Sequence, residues 1–142
     1  FCTLYGPGAK WAGVDLARLF VVRPPESELG RIAVKVVRSG AFALVVVDID
    51  PVGTTVITGR HKNEKAMHVV ARKLALAAEE TGCTVILITD SRRPRALPWP
   101  VAMRLELERR PGKLGVRVAK ERYGRIGNQT WMPFCLEHAR CE

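Results

Sequence analysis

The longest apolar run of the chain is Ala41-Phe42-Ala43-Leu44-Val45-Val46-Val47, and Asp48-Ile49-Asp50 follows it directly. An apolar run of this length, without the alternation of a half-exposed strand, is typical of a parallel strand covered on both faces. The acidic residues then lie at the carboxyl end of that strand. We therefore expect the run to be a central strand of an α/β sheet.

A strand and a helix are predicted upstream of this run. Residues 18–22 are a short apolar segment that predicts a buried strand, and Pro24-Pro25 ends it because proline cannot continue a ladder. Residues 26–39 carry apolar side chains at helical spacing and acidic ones in the first turn, and Gly40 supplies the C-terminal stop.

Another helix and another strand are predicted downstream. Residues 51–61 have the composition of a loop or small hairpin, and Asn63 is the expected N-cap of a helix that ends at Gly82. A buried strand over 83–89 then closes at Asp90. This strand, helix, strand order predicts parallel strands joined by crossovers. The inner face of the helix is expected to comprise Met67, Val70, Ala71, Leu74 and Ala78.

The last part of the chain alternates apolar and polar residues, which indicates antiparallel strands. The alternation covers 101–108 and 116–118, Pro111-Gly112 lies in the turn, and a further strand is expected near 130–135 to complete a mixed sheet. The predicted fold class is α/β, with a mainly parallel central sheet flanked by helices and a C-terminal antiparallel hairpin extension. The length of 142 residues favours a single domain.

Composition favours an intracellular protein. No apolar run approaches the ~18 residues of a membrane span, and the four cysteines are too irregularly spaced to indicate a disulfide framework. We therefore expect a cytoplasmic protein with reduced thiols and no membrane partner.

Positive charge is concentrated toward the C-terminus. The chain has 23 Lys and Arg against 14 Asp and Glu, and residues 92–142 alone carry twelve basic and five acidic side chains. A concentrated positive field attracts polyanions and releases their counterions, so nucleic acid is the leading partner class. The alternative is an ordinary solubilising surface.

Two acidic side chains end predicted strands. Asp48 stands where P-loop ATPases hold magnesium or its bound water, and Asp90 ends the next strand, at the edge where open α/β sheets bind ligands. Both are candidate nucleotide- and magnesium-binding residues. The alternative for Asp48 is a carboxylate that caps a strand-to-loop junction.

The segment after Asp90 interleaves three arginines with a tryptophan. Arg92, Arg93 and Arg95 can pair with phosphates and Trp99 can stack on a base, which are the two ingredients of single-strand binding. The alternative is a proline-stiffened connector with solvated charge and Trp99 in the core.

A second basic segment, Lys120-Glu-Arg122-Tyr-Gly-Arg125, follows a predicted strand. It suits either the phosphates of nucleic acid or the nucleotide of a neighbouring subunit. Near the C-terminus, Cys135, His138 and Cys141 offer three soft ligands where zinc sites normally need four, so no metal site is predicted. No catalytic residue is predicted either.

The order and spacing of these elements resemble the core of bacterial RecA recombinases. The similar segments are 13–24, the helix that ends in Arg38-Ser39-Gly40-Ala41, Leu44-Val-Val-Val-Asp48, and then 71–75, 103–107 and 116–120. The resemblance covers roughly residues 1–135. The Arg-Pro ending of the early strand and the short arginine-rich loop before Val101 look closer to divergent RecA-like relatives, including ImuA-type mutasome accessory proteins.

The resemblance implies roles for several residues. Asp48 matches the Walker B aspartate, and Lys120 and Arg122 match two basic residues that reach the nucleotide across the subunit interface of RecA filaments. Asp90 or Ser91 stands where RecA has a glutamine that senses nucleotide. Residues 91–99 take the place of the second DNA-binding loop.

The chain also departs from the family. It contains no Gly-x-x-x-x-Gly-Lys-[Ser/Thr] sequence, which in the family lies upstream of residue 1, and Phe1-Cys2-Thr3-Leu4 stands where the catalytic glutamate is expected. We therefore expect a RecA-like core domain over 1–142 that is incomplete at its N-terminus. ATP and Mg²⁺ as cofactors, and DNA-dependent ATPase activity, are expected only together with an upstream phosphate-binding segment.

The expected function is that of a DNA-binding RecA-like protein of DNA repair and recombination in an SOS-type response, without ATPase activity in this chain. Its expected partner is single-stranded DNA. One alternative is a fragment of an ATP-dependent recombinase whose P-loop lies upstream. Another is a non-catalytic accessory protein that docks a translesion polymerase or a recombinase, and self-association into a homo-oligomer is a further alternative.

Overall fold

The computed structural model describes residues 4–49, 60–89, 100–122, 124, 126–127 and 129–134. The chain divides into two units, Phe1–Pro100 and Val101–Glu142, which we call the N-terminal unit and the C-terminal unit. The expectation that both belong to one RecA-like domain stays a prediction. Together the described elements make a mixed α/β protein with a small parallel sheet and a three-stranded antiparallel sheet.

The described part of the N-terminal unit contains three α-helices: α1 (Gly6–Trp11), α2 (Glu26–Arg38) and α3 (Arg60–Thr81). A single 3-10 turn, Leu16–Arg18, lies between α1 and α2. The helix predicted over 26–39 is confirmed as α2, which begins with two acidic residues in its first turn. It ends at Arg38, and Gly40 follows two residues later with a φ of +66°, which suits glycine, and with its N–H donating to the carbonyl of Val37.

The start of α3 differs from the prediction. The helix begins at Arg60, so Asn63 lies inside it and is not its N-cap. The residues just before Asn63 include Arg and Lys, which are good helix formers, and they extend the helix beyond the local capping signal. The C-terminal end is as predicted, because Gly82 follows Thr81 with a φ of +69°.

Two parallel strands flank α3 in sequence. They are β1 (Leu44–Asp48) and β2 (Thr84–Ile88), paired in register from Leu44 opposite Thr84 to Asp48 opposite Ile88. The predicted strand, helix, strand unit with parallel strands is therefore confirmed.

The predicted coverage of β1 on both faces is wrong within the described residues. Val47 is buried, whereas Leu44 and Val46 on the other face are each 52% exposed. Ile86, the partner of Val46, and Ile88, the partner of Asp48, are exposed on this face as well. Among the described residues, helices pack on one face only of this two-stranded sheet, and an apolar run alone does not reveal how many layers cover a strand.

The strand predicted over 18–22 is also wrong. Residues 19–25 have no regular secondary structure, and Phe20 is 71% exposed. A strand is stabilised by pairing with a neighbour, and no described strand pairs with this segment. Phe20 instead stacks on Phe42, with ring centroids 6.2 Å apart.

The core of the N-terminal unit lies between α2, α3 and one face of β1 and β2. Gly30 allows α2 and α3 to approach closely, because a Cβ there would lie 2.6 Å from Cγ2 of Val70. Ala71 and Leu74 of the predicted inner face are buried, and Ala77 is a fully buried residue that the predicted face omitted. The buried residues of this core cluster are Ala33, Val37, Val47, Leu74, Ala77 and Cys83.

The C-terminal unit is a three-stranded antiparallel sheet in the order β3-β4-β5, formed by β3 (Met103–Arg110), β4 (Lys113–Glu121) and β5 (Thr130–Pro133). The predicted hairpin with Pro111-Gly112 in its turn and the predicted third strand are confirmed. The described strands nevertheless form two separate sheets rather than one mixed sheet, since β4 finds both of its partners within its own segment, where pairing closes only short loops.

Within the described residues, no helix combines the length and the hydropathy that crossing a membrane requires.

Candidate functional site

Asp48 lies where the sequence predicts it, at the carboxyl end of β1. It is exposed and stands opposite Ile88 in the parallel pair. The next residue, Ile49, donates its N–H to the carbonyl of Ile88 at 3.1 Å and so continues the pairing past the carboxylate. Asp48 thus lies at the carboxyl edge of the two parallel strands, the edge at which open α/β sheets bind ligands.

A magnesium-bound nucleotide needs more than this carboxylate. Mg²⁺ is held by one or two carboxylates together with the phosphates, and the phosphates need a cradle of backbone N–H groups. The described residues contain no group of three or more metal-ligating side chains, and the printed sequence has no phosphate-loop motif. Asp48 alone fits one position of such a site.

Several predicted site residues lie outside the described residues. They are Asp90, Arg92, Arg93, Arg95 and Trp99, and their roles stay predictions. The same holds for the loop or hairpin over 51–59 and for the segment that contains Cys135, His138 and Cys141.

Lys120 and Arg122 are exposed at one end of the sheet of the C-terminal unit. Lys120 belongs to β4 and is paired opposite Arg104, and Arg122 follows the strand. Asp48 belongs to the other unit, so a nucleotide site shared by these three residues stays a prediction.

A β-bulge decides which way Lys120 points. The register of β3 and β4 shifts between Arg104 and Leu105. Leu105 is paired with Val118 and Arg104 with Lys120, so Ala119 is the extra residue and has no partner in β3. Strict alternation from Val118 would place Lys120 on the apolar face of the sheet. The extra residue moves Lys120 to the opposite face, beside Arg104.

This opposite face, which we call the basic face, is strongly cationic. Residues directly opposite each other in an antiparallel pair share a face, so the strand registers define its members. It carries five basic and two acidic side chains together with one indole ring. Its residues are Arg104, Glu106, Glu108 and Arg110 of β3, Lys113, Gly115, Arg117 and Lys120 of β4, and Trp131 and Pro133 of β5.

The two carboxylates of the basic face pair with some of its arginines. Glu106 pairs with Arg117 across the strands and accepts a hydrogen bond from Arg104 at 3.4 Å. Glu108 accepts from Gln129 Nε2 and from Arg110 Nε, each at 2.9 Å. Exposed pairs of this kind contribute little to stability, and they leave the face with a net positive charge.

The hydrogen bonds to Glu108 also affect its protonation. The amide of Gln129, followed by the guanidinium of Arg110, holds the pKa of Glu108 below its ordinary value of 4.5, although a small desolvation effect acts in the opposite direction. Glu108 is therefore a stable anionic anchor for both neighbouring side chains.

The indole of Trp131 lies against Gly115 and beneath Arg110. A Cβ on Gly115 would lie 3.0 Å from ring atoms Cη2 and Cζ3, so the missing side chain makes room for the ring. The guanidinium carbon of Arg110 lies 4.5 Å from the ring centroid, within the range of a cation–π contact. A depression of about 360 Å³ beside the ring is lined by Arg110, Pro111, Lys113 and Trp131.

The other face of the same sheet is apolar and exposed. Leu107 is 59% exposed, and Met103, Leu105 and Met132 are exposed beside it. This apolar face has its own arginine–aromatic contact, since the guanidinium of Arg109 lies 5.9 Å from the ring centroid of Phe134. The two faces of the sheet therefore present similar arginine–aromatic pairs in opposite surroundings.

Sequence reasoning missed the cluster of Arg110, Lys113 and Trp131. The alternation along the hairpin predicts which residues of β3 share a face, but it does not give the register of β5 against β4. The available signal was Gly115 in an otherwise regular strand, since a glycine inside a strand often marks the close approach of another group.

Neither the models of known protein families nor the curated proteins gave a match to this chain, so the case for its function rests on the residues and contacts described above.

Proposed function

We propose that the chain is a RecA-like protein of DNA repair and recombination that binds single-stranded DNA and has no ATPase activity of its own in the residues present. The observation that carries the DNA-binding part is the basic face, five basic against two acidic side chains on one side of a sheet. The parallel unit of β1, α3 and β2 with Asp48 at its carboxyl edge supports the RecA-like part.

The physical basis is charge neutralisation. Each phosphate that a Lys or Arg side chain neutralises releases condensed counterions, which favours binding and makes the affinity depend on salt. The basic face and the predicted loop of Arg92, Arg93 and Arg95 both lie in the part of the chain that carries the charge excess.

The test is a titration of labelled single-stranded DNA, followed by fluorescence anisotropy at low salt. Two triple variants are compared with the wild type: one changes Arg92, Arg93 and Arg95 to alanine, and the other changes Lys113, Arg117 and Lys120 to alanine. Each is expected to weaken binding by about tenfold or more, because each removes three phosphate partners.

A third triple variant controls for net charge. Changing Lys35, Arg38 and Lys73 to alanine removes the same charge from exposed positions on α2 and α3. We expect it to bind DNA nearly as well as the wild type. If the wild type fails to bind at low salt, or if all three variants lose affinity equally, the proposed DNA contacts are wrong.

A second candidate function is supported by the apolar face. Exposed Leu105, Leu107 and Met132 form a surface of the kind that docks a protein, here a recombinase or a translesion polymerase. Leu107→Glu is expected to abolish binding to such a purified partner while leaving DNA affinity intact. Partner binding by a wild type that has no DNA affinity would favour this candidate over the first.

A further inference from the structure

We propose that Trp131 and Arg110 form a stacking platform for one base of a single-stranded nucleic acid, with Lys113 as the partner of an adjacent phosphate. The inference rests on the proposed function and deepens it, since it names a base-binding site on the basic face. It predicts that the chain prefers unpaired nucleotides to duplex, because a base must leave its stack to reach the platform.

The lower layer of the platform is the indole. Trp131 is only partly exposed and lies against Gly115, where any side chain would crowd its ring. Trp has few rotatable bonds, and this close contact with the strand beneath further restricts the ring. A ring that is already ordered loses little conformational entropy when a ligand binds.

The upper layer is the guanidinium of Arg110. It lies 4.5 Å from the centroid of the indole, and its Nε donates to Glu108 at 2.9 Å, so two contacts favour its position over the ring. The side chain is nevertheless 61% exposed, which leaves room for another planar group against it. Arginine guanidinium planes stack bases as aromatic rings do.

The surroundings suit a nucleotide rather than an apolar ligand. Lys113 lines the depression beside the ring and forms no ion pair with another described residue, so its ammonium group suits a phosphate. The depression, of about 360 Å³, is open to solvent, so a base can reach the ring and the guanidinium from outside.

The experiment compares variants that keep the charge and remove the flat surface. Arg110→Lys retains a cation but loses the plane that stacks, and Arg109→Lys is its matched control on the apolar face of the same strand. Trp131→Leu removes the ring, Trp131→Phe restores an aromatic ring, and Phe134→Leu is the control on the apolar face. Each is titrated against a labelled single-stranded oligonucleotide, against an abasic oligonucleotide of equal length and against a mononucleotide.

We expect Arg110→Lys and Trp131→Leu to weaken binding to the base-containing oligonucleotide by about fivefold or more, which corresponds to the loss of one stacked base. Binding to the abasic strand should be unchanged, since charge is retained. Arg109→Lys, Phe134→Leu and Trp131→Phe should stay within about twofold to threefold of the wild type on either strand. A site for a polymer rather than a free nucleotide should bind the mononucleotide much more weakly than the oligonucleotide.

The possible outcomes separate this inference from the proposed function. A wild type that binds neither strand overturns both. A wild type that binds DNA, with Arg110→Lys and Arg109→Lys indistinguishable from it, overturns the stacking platform alone, as does an equal loss on the abasic strand. Mononucleotide binding as tight as that of the oligonucleotide would instead assign the site to a free nucleotide. Because Arg110 is largely exposed, its lysine variant tests the inference even if Trp131→Leu unfolds the sheet.

Discussion

The contacts around Trp131 depend on individual atoms of Gly115, Gln129 and Glu108. Gln129 Nε2 bonds to the Glu108 carboxylate, and the space above Gly115 holds both this amide and the edge of the indole. Gly115 in β4 and the hydrogen-bonded carboxylate of Glu108 in β3 therefore set the position of the Trp131 ring in β5.

Replacing Gly115 is expected to disturb this arrangement. In Gly115→Ala the new methyl group would lie 2.4 Å from Gln129 Nε2 and 3.0 Å from two ring carbons, so the amide must turn away and the ring must move. We expect a loss of about 1–3 kcal/mol in the free energy of unfolding, as for other overpacked sites. Urea denaturation measures it.

Gly127→Ala is the control for this prediction, because a Cβ there meets nothing within 4 Å and the residue has no positive φ. It should be neutral or slightly stabilising, since alanine restricts the unfolded chain. Equal stability of the two variants would show that Gly115 does not support the ring.

The pKa of Glu108 gives a prediction for pH dependence. Because hydrogen bonds from Gln129 and Arg110 lower this pKa in the folded state, the carboxylate adds stability above its ordinary value of 4.5 and loses that contribution as pH falls through the lowered value. The difference in Tm between wild type and Glu108→Gln should therefore shrink on acidification. Gln129→Ala should raise the pKa of Glu108, observed by NMR titration of its carboxyl carbon, and an unchanged pKa would contradict the assigned cause.

The helices α2 and α3 meet where glycine faces a β-branched residue. Gly30→Ala should raise the helix propensity of α2, yet it would place a methyl group 2.6 Å from the stiff side chain of Val70. We expect the clash to dominate and to cost about 1–3 kcal/mol of stability. The double variant with Val70→Ala should recover part of this loss. Additive losses in a double-mutant cycle would instead mean that there is no steric clash between positions 30 and 70.

At the scale of single elements, the sequence predicted the helices, helix ends and turns that depend on local pattern. The apolar spacing of 26–39 gave α2, Gly40 and Gly82 gave two helix ends, and Pro111-Gly112 gave the hairpin turn. The strand predicted over 18–22 failed because a strand also needs a partner, and partners are not encoded locally.

The candidate site shows the same limit. The alternation of β3 is visible in the sequence, but the bulge at Ala119 is not, and that bulge moves Lys120 from the apolar to the basic face. The contact between Trp131 and Gly115 depends on the register of β5, which no local pattern specifies.

On the scale of the whole molecule, the central feature is the uneven charge. The excess of Lys and Arg lies toward the C-terminus, where the C-terminal unit arranges basic side chains on one face and apolar ones on the other. A polyanion would meet the first face and a protein the second, so the charge distribution favours nucleic acid as the first partner to test.

The most direct test of this account is the salt dependence of single-stranded DNA binding by the wild type. Between about 50 and 200 mM salt, the logarithm of the association constant should fall linearly with the logarithm of the salt concentration, by about 0.7 per phosphate neutralised. Changing Lys113, Arg117 and Lys120 to alanine should make that slope shallower by about 2, which is three lost phosphate contacts. Binding that is absent at low salt, or a slope that the variant leaves unchanged, would contradict the account.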